Sequence, residues 1–261
     1  MAETLVTATF DAASGIARIT FNRPDVLNAI DVATATAFRE AVSSVVAQAG
    51  LRCIVLAGAG RAFVAGGDVA SFGDEPAEVV DALLGALHPA ILALRACPAP
   101  VLAVVQGPAA GAGLSIALSA DILLASDKAR FVIAYDRIGA PPDCGGTWFL
   151  PRKVGRGRAF AMMLLGQVLD AQAALASGIV AEVVPQAELE SRAGEIAARI
   201  AAGPTAAYGS FKRLIDDALA TPLEAHLENE RRRFLEATRT QDFREGVAAF
   251  LGKREPVFRG Q

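Results

Sequence analysis

Alternation opens the chain. Within Met1–Phe10, Val6, Ala8 and Phe10 alternate with polar neighbours, which predicts a strand. Asp11–Gly15 predicts a turn, and Ile16–Phe21 the returning strand of a hairpin. The period then lengthens. Phe38, Val42, Val45 and Val46 recur at helical spacing, with Asp31 suited to cap a helix through Ala49 and Gly50 to stop it. Arg52–Ala57 and Val101–Val105 are continuous apolar runs, the pattern of strands buried on both faces. Between them lie a glycine-rich loop, Gly58–Asp74, and a helix over Pro76–Ala96 that Pro89 is placed to kink. Further on the pattern predicts a helix over Gly111–Ser119, then strands over Asp121–Ala125 and Arg130–Ile133. A loop at Pro141–Gly146, helices over Thr147–Leu150 and Arg156–Leu165, and a strand over Val180–Val184 follow.

After Pro185 nearly everything reads as helix, with breaks at Gly203-Pro204 and Thr221-Pro222. Phe243, Val247, Phe250 and Leu251 fall on one face of the last helix. The expected organisation is an α/β core over residues 1–185 with mostly parallel pairing, then a helical region over 186–261. One stretch imitates a membrane span: Ala96–Ala120 carries no charge. Pro98, Pro100, Gly107, Pro108, Gly111 and Gly113 interrupt it, so a buried strand, a turn and a buried helix are expected instead. The N-terminus lacks a basic start followed by an apolar run, so no signal peptide, and no membrane association, is expected.

Composition narrows the classes. With 53% apolar and 20% charged residues among 261, the chain can bury a sizeable core and is not a disordered polymer. Its 25 basic and 28 acidic residues leave a net charge of −3, which gives no footprint for nucleic acid. Three cysteines without a C-x-x-C spacing and two histidines argue against a disulfide framework and against a metal site, and favour a cytoplasmic protein. His88 reads as structural, His226 as a solvated residue of a charged helix, and Arg231-Arg232-Arg233 as a wet helix face.

Two glycine-rich turns follow buried strands. Gly111-Ala112-Gly113 opens a helix, but Ile116 stands where a dinucleotide fingerprint needs glycine or alanine, and no nucleoside-triphosphate loop exists. The first N–H groups of a helix lack internal partners and carry partial positive charge, so they can stabilise an oxygen that gains charge in a reaction. Phe63-Val64-Ala65-Gly66-Gly67-Asp68 is a second such turn. Two turns of this kind can aim two backbone donors at one carbonyl oxygen.

The runs Asn22-Arg23-Pro24 with Leu27-Asn28-Ala29, Ala62–Asp68, Gly107–Gly113 and Asp143-Cys144-Gly145-Gly146-Thr147 occur in that order. Together they resemble the crotonase superfamily, the enoyl-CoA hydratase/isomerase family, over essentially the whole chain. Pro142–Trp148 with Leu150-Pro151-Arg152, and the ending Arg244–Leu251, are most similar to its isomerase members of phenylacetate catabolism. The resemblance implies a spiral of ββα turns, C-terminal helices that build a homotrimer or homohexamer, and an acyl-CoA substrate with no further cofactor. It also implies roles. Gly67 and Ala112 would offer N–H groups to the thioester oxygen, and the Ala65 carbonyl would meet the adenine of CoA. Gly66, Asp68 and Gly111 would complete the CoA-binding turns. Lys253, with Phe250, stands near the C-terminus where it could touch a CoA phosphate or adenine, of this chain or of a neighbouring subunit.

The resemblance further implies that a hydratase carries two glutamates, at the positions held here by Ser115 and Tyr135. Neither is a carboxylate at neutral pH. Asp136 could return one only if the frame shifted by a residue. Asp143 lies where isomerases of the family carry a proton-transferring aspartate. Its alternative role is to cap the helix starting near Gly145-Gly146. Ile138, Trp148 and Phe149 are expected to surround that carboxylate, and Cys144 is expected to be a packed thiol. The expected activity is an acyl-CoA isomerisation through a thioester enolate, either a double-bond shift or a ring-epoxide rearrangement of a phenylacetyl-CoA type substrate. The alternatives are a hydratase and a non-catalytic acyl-CoA-binding protein.

Overall fold

The computed structural model describes residues 4–261. The expected hairpin is present as β1 (Val6–Asp11) and β2 (Ile16–Phe21), paired antiparallel; Met1–Glu3 of the predicted first strand lie outside the described residues. Parallel strands β3 (Cys53–Gly58), β4 (Val101–Val105), β6 (Ile122–Ser126) and β9 (Glu182–Val184) extend the sheet in the order β1-β2-β3-β4-β6-β9. A second sheet joins β5 (Pro108–Ala110), β7 (Arg130–Val132) and β8 (Val168–Asp170) in the order β5-β7-β8. Single bridges extend the same pattern, Val64 to Ala109 and Ile30 to Gly67.

Each turn of the chain thus lays a strand in the large sheet, a shorter segment beside the small one, and then a helix. The helices are α1 (Val32–Val46), α2 (Pro76–Ala96), α3 (Ala112–Leu118) and α4 (Gly146–Val154). Then come α5 (Arg156–Leu164), α6 (Ala171–Ala176), α7 (Leu189–Ala201), α8 (Thr205–Ala218), α9 (Leu223–Ala237) and α10 (Gln241–Leu251). Asp31 caps α1 as expected, its carboxylate accepting from Thr34 N at 2.7 Å. The helix ends at Val46 rather than Ala49. The uncharged stretch 96–120 is β4, β5 and α3. α2 is long and apolar enough to cross a membrane by length and composition, yet Leu83, Leu87, Ile91 and Leu94 are buried in the core shared with α1.

The unbroken apolar strands have a direct cause. Side chains alternate across a strand, so a strand covered on both faces must be apolar at every position. Ile54, Leu56, Ala103 and Val105 point into the large core with Phe21 and Phe38, whose rings stack 4.9 Å apart. Cys53, Val55, Leu102 and Val104 point the other way, against Leu189, Ala193, Ala197 and Ala201 of α7. That every-fourth-residue stripe, mostly alanine, lets α7 lie close on the sheet. The first helix after Pro185 therefore covers the core, while α8–α10 expose Phe211, Ile215, Phe234, Val247, Phe250 and Leu251.

Candidate active site

The two glycine-rich turns meet at the ends of the parallel strands. Asn28 holds the first in place. Fully buried and with φ 58°, it directs Nδ2 to the carbonyls of Ala59, Ala62 and Phe63 at 2.9–3.0 Å, while its Oδ1 accepts from Arg23 N at 2.8 Å. Arg23 in turn donates to Ala29 O at 2.6 Å and reaches Asp31 at 3.2 Å and Asp68 at 3.5 Å. Asp68 thus fixes its loop and does not line the cavity described below. Gly66 has φ 109°, and a Cβ there would stand 3.2 Å from Ala110 O. Gly113 packs closer still: a Cβ would meet Val64 O at 2.1 Å.

These contacts bring two free donors to one place. Ala65 N donates to Leu27 O, Asp68 N to Ile30 O and Gly111 N to Val132 O. Among the described residues no protein acceptor takes the N–H of Gly67 or of Ala112, the first residue of α3. Both residues line a cavity of about 120 Å³, together with Ala65, Gly66, Gly111, Tyr135, Ile138 and Asp143. Phe72, Val80, Leu83, Leu84 and Leu87 form its apolar wall. Asp143 is the one acidic residue in this lining.

Asp143 does not cap α4. Gly145 occupies the cap position without a side-chain bond, and Asp143 contributes only its carbonyl, to Gly146 N. The carboxylate instead accepts from the Tyr135 hydroxyl, 2.5 Å from Oδ1. Tyr135 opens a single 3-10 turn (Tyr135–Ile138) set between two left-handed residues, Ala134 and Gly139. Burial first, then the charge of Asp143 and the hydrogen bond to it, push the phenol well above its ordinary range. It therefore stays a neutral donor. Asp136 is exposed beside Gly166 and lies outside the cavity lining, so no shifted frame supplies a carboxylate there.

Other expectations need correction. Ile138 shares the cavity with Asp143, but Trp148 and Phe149 line a different hollow with Arg95 and Cys144. Cys144 is fully buried, with φ 50°, and burial followed by the charge of Asp143 raises its thiol far above the ordinary range. It is a packed residue, as expected. Phe250 lines a separate cavity among α8, α9 and α10, and Lys253 follows α10, so within one chain neither lies with Gly67 and Ala112, which leaves the contact to CoA on a neighbouring subunit. His226 is not solvated: its side chain is only 14% exposed and its Nδ1 is buried without a partner. Arg231 and Arg233 pair with Glu228 and Glu236 on the exposed face of α9. The residue that sequence reasoning undervalued is Tyr135, noted only as a missing carboxylate. Its bond to Asp143 spans eight residues and carries no local signal.

The enoyl-CoA hydratase/isomerase family matches residues 11–261, and the chain belongs to that family, with the crotonase fold. A protein of Rhodobacter capsulatus named a probable enoyl-CoA hydratase is 41% identical, the match covering 98% of each chain. The 1,2-epoxyphenylacetyl-CoA isomerase of Escherichia coli is 38% identical over 95% of this chain and 96% of its own. The enoyl-CoA hydratase of Bacillus anthracis superposes with a TM-score of 0.92 at 29% identity, covering 98% of this chain and 100% of that one. Hydratase and isomerase names both occur among these relatives.

Proposed function

We propose that the chain is a cofactor-independent acyl-CoA isomerase. The observation that carries this reading is the carboxylate inventory of the cavity. Asp143 stands alone with Gly67 and Ala112, while Ser115 and Tyr135 hold the positions where the family resemblance calls for the two glutamates of a hydratase. Adding water requires a base and an acid acting on that water. A 1,3-proton shift requires one group that takes a proton and returns it.

In this reading the thioester oxygen accepts from Gly67 N–H and Ala112 N–H. Asp143 takes a proton from the carbon α to the thioester carbonyl. The C–H electron pair moves into the acyl unit and leaves an enolate, whose oxygen charge the two N–H groups stabilise. Asp143 then returns the proton to the far carbon, and the carboxylate is regenerated. A double-bond shift is the simplest case. Rearrangement of a ring epoxide on a phenylacetyl-CoA type substrate, suggested by the likeness to the Escherichia coli isomerase, uses the same enolate. Ala65, Gly66 and Gly111 would hold CoA next to these donors.

A panel of CoA thioesters, followed by mass and ultraviolet absorbance, tests the proposal. Isomerisation changes the spectrum at constant mass. Rapid addition of one water to crotonyl-CoA, at ~1–10³ s⁻¹, would make the protein a hydratase. Binding without turnover of any thioester would make it a carrier. The exposed apolar faces of α8–α10 support a homotrimer or homohexamer, for which Phe250 at 84% exposure and Leu251 at 75% are the strongest indications. Light scattering that finds a monomer at working concentration contradicts that assembly.

A further inference from the structure

Behind Tyr135 lies a second, larger cavity of about 380 Å³, lined by Leu114, Leu118, Ile133, Leu150 and Met163 among others. Tyr135 lines both cavities, Asp143 only the smaller one, and Ser115 only the larger one. The ring is 7% exposed and therefore forms part of the wall between them.

Two contacts hold that wall. The Tyr135 hydroxyl donates to Asp143 Oδ1 at 2.5 Å. The ring packs over Gly111, where a Cβ would come within 4.0 Å of Cζ. Ser115 sits one helical turn after Ala112, and Ser115 N donates to Gly111 O at 3.1 Å. The chain of contacts therefore runs from the start of the helix that offers the Ala112 donor, through Gly111 and Tyr135, to the carboxylate.

From this geometry we infer that Tyr135 is a positioning residue: its hydroxyl engages Asp143 Oδ1 and leaves Oδ2, held in a fixed orientation to Ala112, to carry the proton. The inference rests on Asp143 being the base. A carboxylate on a short side chain can rotate about its last bond, and only a bond to one oxygen selects which oxygen faces the reacting carbons. Once its rotation is restrained, the protonated carboxyl holds the substrate's own proton beside the enolate. Unrestrained, it presents that proton to other acceptors, and solvent hydrogen replaces it before the return step.

Tyr135→Phe tests this, because it keeps the ring and removes the donor. The probe is the thioester turned over in the panel, carrying deuterium at the carbon that loses its proton. The expected results are a fall in kcat of roughly 10–100-fold, as for a misplaced catalytic group, with KM within about twofold because binding is untouched. The share of deuterium reaching the product also falls. A merely structural role lowers the number of active molecules and leaves KM and deuterium transfer as they were. Tyr135→Leu, a second apolar side chain without the donor, should show the same pattern, and it decides the matter if Tyr135→Phe does not fold. Unchanged kcat and deuterium transfer in the folded variants, with Asp143→Asn inactive, overturn the positioning role and spare the base. Full activity in Asp143→Asn overturns both.

Discussion

Gly113→Ala probes the spacing on which the paired donors depend. The new Cβ would stand 2.1 Å from Val64 O and 2.7 Å from Val64 Cβ. Ordinary carbon contacts need about 3.5 Å, so α3 and the Val64 segment must part by roughly 1 Å or more. Val64 cannot yield easily. It is fully buried, bridges Ala109, and accepts from Ala110 N at 3.0 Å. The displacement therefore falls between Ala112, adjacent to Gly113, and Gly67, three residues after Val64. A shift of that size in catalytic geometry typically costs on the order of 10²-fold in rate. Overpacking costs about 1–3 kcal/mol, and the gain in helix propensity, at most ~1 kcal/mol, only partly offsets it. For a chain of this length the net loss lowers Tm by roughly 2–8 °C. Steady-state turnover of the substrate found in the thioester panel, together with calorimetric melting, reads both effects. Gly85→Ala in α2, with no atom within 4 Å of the new Cβ, is the control and should keep activity while holding or raising Tm. Parent-like rate and Tm in Gly113→Ala would refute the claim that this contact spaces the donors.

Backbone donation is tested at the other partner: Ala112→Gly should stay within about tenfold of the parent, while Ala112→Pro, which lacks the N–H, should lose on the order of 10²–10³ in rate. The C-terminus offers a pH test. Hydrogen bonds from Arg254, and then from Val257 N–H, hold the Glu245 carboxyl at about 2, below its ordinary 4.5. A folded-state value below the unfolded one gives stabilisation that is complete above the unfolded value and fades as pH falls from 4.5 toward about 2. Melting curves should therefore place Glu245→Gln below the parent at pH 7, with the gap closing through that window; a gap that widens on acidification would contradict the assignment.

Much of the frame was legible because it follows local rules. Val101–Val105 reads as a buried strand because every residue is apolar, and both of its faces are covered. Asp31 reads as a cap because a carboxylate before a helical run accepts from the first free amides. What escaped is non-local. β5 and β8 are three-residue strands, one starting at Pro108, and only pairing with β7 makes them strands. The stripe on α7 shows a face to cover but not that the sheet covers it. At the site, the glycine turns and Asp143 were legible as motifs. The Tyr135 hydroxyl on Asp143, and the turning away of Trp148 and Phe149, depend on how the 3-10 turn and α4 are set in space.

Asp143→Asn, assayed on the substrate whose spectrum changes at constant mass, tests the central claim most directly. Asparagine keeps the size of the side chain and an oxygen for Tyr135 to bond, but it cannot take the proton. The aspartate side chain caps no helix, so Tm and affinity for CoA should stay near the parent's. Turnover should fall by on the order of 10²–10⁴, the usual worth of general acid–base catalysis. An Asp143→Asn protein that isomerises the substrate at the parent rate contradicts the account.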